Sequence, residues 1–96
     1  MIMNLEKSKK RIAKKVKMGF QGYPEISIAY YGPSANMANQ VVISFVPEEG
    51  NEPMVERFQS NSDAREDDVI QSAIVKIIER SGAKTIKQAS GIEITI

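Results

Sequence analysis

Seven basic side chains crowd the start of the chain: Lys7, Lys9, Lys10, Arg11, Lys14, Lys15 and Lys17 stand against the single acid Glu6, a local balance of +6. The remaining six bases face eleven acids, a balance of −5, so a net charge of only +1 conceals a strongly segregated chain. Clustered positive charge is the chemistry of phosphate contact, because each ammonium displaces counterions from a nucleic-acid backbone. Lysine acts as a mobile point charge, whereas arginine supplies a rigid fork suited to planar, bidentate recognition. The pattern therefore points to sequence-independent contact with RNA or DNA through Lys7, Lys10, Arg11, Lys14, Lys15 and Lys17. A membrane surface fits less well, since the apolar stripe of this segment is thin and carries no aromatic residue. The plainer alternative is a solvated helix face whose charge is balanced elsewhere in the fold.

A second contributor to such a site is Tyr31, adjacent to Tyr30 in an alternating segment. One of the pair must face away from the core, and an outward tyrosine beside a basic helix can stack on an unpaired base. Catalysis has little material. The chain contains neither His nor Cys, the commonest groups of acid-base and covalent chemistry, so disulfides and thiolate metal sites are excluded as well. Asp63, Glu66 and Asp67 within one turn could in principle hold a hard cation, as could Glu48, Glu49 and Glu52 in a polar loop. Acids at a helix start and in a turn have ordinary structural roles, and no metal or cofactor is expected. Ser34, Ser60, Ser62 and Ser90 lack a histidine partner, and Gly19 and Gly22 match no phosphate-loop spacing. A non-catalytic binding module is the expectation.

These side chains need a scaffold. Leu5, Ile12 and Val16 recur at helical spacing behind Asn4, a good N-cap, so residues 5–18 should form a helix that docks by a narrow apolar stripe and turns its bases outward. Gly19 stops it, and the period changes to two over residues 25–31, with Ile26, Ile28 and Tyr30 facing inward. After a loop at 32–39 with room for one helical turn, the β-branched run 41–46 reads as a central strand, and the polar turn 47–53 returns residues 54–58 antiparallel to it. Asp63, Glu66, Asp67 and Asp68 load the start of a second helix, whose core stripe is Val69, Ile70, Ala73, Ile74, Ile77 and Ile78 and whose left-handed cap is Gly82. Ile92, Ile94 and Ile96 alternate in a last strand, preceded at 85–87 by either its beginning or a separate short one, with Gly91 a bulge or a turn.

The expected architecture is a single α+β domain over residues 1–96: a two-layer sandwich, order α-β-β-β-α-β, with an antiparallel sheet of four or five strands and both helices on one face. Its leading order α-β-β-β-α is similar to that of double-stranded-RNA-binding domains. The likeness is one of order alone: where that family begins its second helix with lysines on phosphates, this chain has Asp63, Glu66, Asp67 and Asp68. A signal peptide and a membrane span are not expected, because Met1 to Asn4 lead directly into charged residues and no apolar run approaches the ~20 residues a span needs, which makes the cytoplasm the default location. The runner-up function is a protein-interaction or homodimerisation module, pairing through an edge strand that presents Ile92, Ile94 and Ile96.

Overall fold

Asn4 accepts the Glu6 amide at its side-chain oxygen and starts α1 (Leu5–Lys17), the basic helix, in a computed structural model that describes residues 4–94. The chain continues as β1 (Glu25–Gly32), β2 (Gln40–Val46), β3 (Met54–Gln59), a 3-10 turn (Ala64–Glu66), α2 (Asp68–Ser81) and β4 (Thr85–Ile94). The sheet order is β3-β2-β1-β4, so β1 and β2 are central and β3 and β4 are the edges. Both helices lie on one face, and the α+β class and the order α-β-β-β-α-β agree with the sequence reading.

The sheet is mixed rather than wholly antiparallel. β2 runs antiparallel to β1 and to β3, as the hairpin pattern required, but β4 joins β1 in parallel. Helix length explains this. The 14 residues of α2 span about 21 Å at 1.5 Å per residue, close to the length of a seven-residue strand, so the helix carries the chain from the end of β3 back to the level where β1 begins. A strand starting there and pairing with β1 must run the same way. Thr85 accordingly pairs with Glu25 and Ile86 with Ile26. β4 is also one continuous strand. Its register slips once: Ile28 pairs with Gln88 and Tyr30 with Ile92, leaving residues 89–91 as a bulge, with Gly91 at φ +75° supplying the backbone bend.

One core lies between the layers. Ile26, Ile28 and Tyr30 of β1, Val41 and Ile43 of β2 and Ile86 of β4 meet Ile12 of α1 and Ile70, Ile74, Val75 and Ile78 of α2. Val69, expected in that stripe, is 56% exposed, because the buried face of α2 runs through Ile70, Gln71, Ile74, Val75 and Ile78. The acids Asp63, Glu66, Asp67 and Asp68, expected together at the start of α2, are divided between the 3-10 turn and the helix. Asp63 caps the 3-10 turn, and Asp67 separately caps α2 by accepting the amides of Val69 and Ile70 and the Ser60 hydroxyl. The 32–39 loop is a tight β-turn bridging Ser34 and Met37, not a helical turn. Gly32 is required there: a Cβ on it would collide with the Met37 carbonyl oxygen, so only glycine lets the loop fold back over the strand end. Ile96 lies outside the described residues.

Candidate nucleic-acid interface

Helical geometry separates α1 into three arcs. Ser8 and Ile12 are buried, with Leu5, Lys9 and Val16 half-buried beside them. At 3.6 residues per turn, Lys7, Lys10, Lys14 and Lys17 fall within about 80° of one another on the opposite side, and all four are exposed. They form no ion pair among the described residues, nor does Lys15 on the flank. Arg11 differs from the others: its guanidinium donates to Glu79 of α2 at 3.0 Å, on an exposed part of the surface. The basic stripe is therefore Lys7, Lys10, Lys14 and Lys17, with Lys15 and a partly neutralised Arg11 on one shoulder.

Tyr31 does not join this surface. Tyr30 enters the core, so its neighbour points to the open face of the sheet, alongside Gln40 and away from both helices. The expected combination of basic helix and adjacent tyrosine is thus divided between two sides of the molecule. The nearest aromatic pair to the end of α1 is Phe20 and Tyr23, whose rings meet edge to face at 5.5 Å, with Phe20 59% exposed.

On its other shoulder α1 borders a cleft of about 600 Å³, walled by Lys9, Lys10 and Ala13 of the helix, Arg65 and Glu66 of the 3-10 turn, and Gln88 with the β4 bulge at residues 89–91. Tyr30 and Gln71 line it from the core, 4% and 3% exposed. Gln71 Nε2 donates to the Tyr30 hydroxyl at 2.9 Å and to the Ala64 carbonyl at 3.0 Å, using both amide protons and fixing the side chain. The Tyr30 hydroxyl accepts that bond and has no acceptor for its own proton among the described residues. Burial raises the Tyr30 pKa, against a smaller lowering by the Gln71 hydrogen bond, so the phenol is protonated and a donor at neutral pH.

The rim is cationic but partly compensated. Lys9 Nζ donates to Glu66 at 2.8 Å, and this hydrogen bond raises the lysine pKa above its ordinary value. Arg65 grips Asp63 through Nε at 3.0 Å and Nη2 at 2.7 Å, and also donates to the Asn36 carbonyl. The same side-chain bonds hold the Asp63 carboxyl below the usual carboxylate range. Three of the acids weighed for metal binding have other partners here. Asp63 serves Arg65, Glu66 serves Lys9 and Asp67 caps α2, and no group of three or more potential ligands converges among the described residues.

The charge pattern of α1 was legible in the sequence, whereas the cleft was not. Its one sequence signal was Gln71, an amide placed three and seven residues before Ile74 and Ile78 on the face that proves buried. No described helix is long and apolar enough to cross a membrane. Comparison of the chain with known protein families, with curated proteins and with solved structures finds no match.

Proposed function

We propose that this chain is a cytoplasmic, non-catalytic module that binds RNA or DNA by laying the outward stripe of α1 on the phosphate backbone. The observation carrying this reading is the stripe of Lys7, Lys10, Lys14 and Lys17: four exposed ammonium groups, without acidic partners among the described residues, on a helix anchored from the opposite side by Ile12. A docked helix presents these charges in a fixed array, which lowers the ordering cost of contact compared with a flexible basic tail. Lysine content favours backbone contact over base discrimination.

The test is a titration of fluorescent single- and double-stranded RNA and DNA oligonucleotides at low and moderate salt, with the protein's mass measured by size exclusion in parallel. Binding that weakens steeply with salt supports the reading. No binding at low salt refutes it.

A second reading, self-association through a sheet edge, rests on the exposure of Met54 (62%) and Val55 (50%) on β3 and of Ile94 (59%) on β4. Two edges carrying exposed apolar residues are templates for strand pairing. A dimeric mass that reverts to monomer on charging Val55 or Ile94 would favour it.

A further inference from the structure

The cleft beside α1 has features that backbone contact alone does not use. Its volume, about 600 Å³, lies within the range of small-ligand sites. Its floor holds a buried hydroxyl whose proton has no protein acceptor among the described residues, fixed in place by an amide that is itself fully committed as a donor. Buried polar groups are almost always satisfied, so a donor left open at the bottom of a cavity is a place for an incoming acceptor. One wall is the β4 bulge, where residues 89–91 have no partner in the β1–β4 register. The mouth carries Lys10, which forms no ion pair among the described residues and also belongs to the outward stripe of α1.

We propose that this cleft receives a single nucleotide unit, with the phosphate at Lys10 on the rim and the base turned inward so that one of its acceptor atoms takes the Tyr30 hydroxyl proton. The inference rests on the nucleic-acid reading for its link to α1: a strand lying along Lys14 and Lys17 reaches the cleft mouth at Lys10, and an unpaired base can then leave the strand and enter. A base within a duplex cannot do so without unpairing, so the cleft confers a preference for single strands. Lys9 and Arg65 are held by Glu66 and Asp63, which leaves Lys10 as the uncommitted cation and makes Glu66 a brake on anion entry.

The experiment uses the full chain and NMR amide shifts, with the four nucleoside 5′-monophosphates and inorganic phosphate as probes, followed by single- and double-stranded oligonucleotides of equal length. At least one monophosphate is expected to shift the amides of residues 89–91 and Arg65 and to bind about tenfold or more tightly than phosphate alone. Tyr30→Phe should weaken that nucleotide by about tenfold, the loss of one hydrogen bond, while leaving duplex affinity unchanged. Because Tyr30→Phe also strands a Gln71 proton, Glu66→Gln is the companion variant at the rim: by releasing Lys9 it should tighten the same nucleotide without touching the core. If no monophosphate moves residues 89–91 while oligonucleotides still bind with strong salt dependence, the cleft proposal is overturned and the α1 reading stands. If a monophosphate binds in the cleft and no oligonucleotide binds at all, the α1 reading falls and the site belongs to free nucleotides.

Discussion

Replacing Lys10 and Lys14 by Gln removes two of the four charges in the outward stripe of α1. From Lys7 to Lys17 the helix axis advances about 15 Å at 1.5 Å per residue. A B-form strand presents a phosphate every ~3.4 Å along the axis, so about four phosphates lie within reach of these four lysines. Each neutralised phosphate contributes about 0.9 to the slope of log affinity against log salt on duplex DNA and about 0.7 on single strands. The native protein should therefore show slopes near −3.6 and −2.8, and the double variant about half of each. Between about 50 and 200 mM salt the native protein would lose roughly 150-fold in duplex affinity and the variant only about 12-fold. Fluorescence anisotropy at four salt concentrations reads both slopes. Exposed lysine substitutions of this kind change stability by about 0.5 kcal/mol or less, so a circular-dichroism melt should be nearly unaltered. Equal slopes for native and variant protein, with the fold intact, would refute the assignment of these lysines to phosphate contact.

Three further outcomes test the packing that holds α1 and the cleft in place. The Ser8 hydroxyl is fully buried in α1 without a hydrogen-bond partner among the described residues, so Ser8→Ala should raise stability by about 1 kcal/mol or more in urea unfolding, through relief of an unsatisfied group and better helix propensity. Gln71→Leu should lower it by about 1–3 kcal/mol, because the Ala64 carbonyl loses its Gln71 donor and the buried Tyr30 hydroxyl loses its partner. A carboxyl whose folded-state pKa is depressed contributes stability that is present above its unfolded value and lost as pH falls through the folded one. Arg65 depresses Asp63 from an ordinary 3.8, so Asp63→Asn should be the less stable protein at pH 7, and thermal melts of the two should converge as pH falls from about 4 towards 2.

The legible and illegible parts of this molecule divide along physical lines. Local periodicity and turn chemistry were enough for α1, for the alternation that buries Ile26, Ile28 and Tyr30, and for the β2–β3 hairpin, since each depends on residues close in sequence. The direction of β4 was not, because it depends on where α2 delivers the chain, a long-range consequence of helix length and docking. Val69 shows a related limit: the stripe Val69, Ile70, Ala73, Ile74, Ile77 and Ile78 is turned around the helix from the face that docks, so Val69 remains in solvent while Val75, left out of it, is buried. In the site, the outward lysines followed from helical spacing alone. Tyr31 was misplaced relative to them although alternation was enough to place it: with Tyr30 turned inward and both helices on the covered face, Tyr31 belongs on the open face of the sheet. Arg11 met Glu79, and Arg65, Gln71 and Tyr30 came together, only through the tertiary fold.

The central claim is that nucleic acid is held by the outward face of α1, and the most direct measurement is amide-shift mapping of the labelled protein against a single-stranded oligonucleotide. The account predicts shifts concentrated on Lys7, Lys10, Lys14 and Lys17, extending to the β4 bulge at residues 89–91, with β2 and β3 unmoved. Shifts confined to the open sheet face around Tyr31 and Gln40 would contradict it.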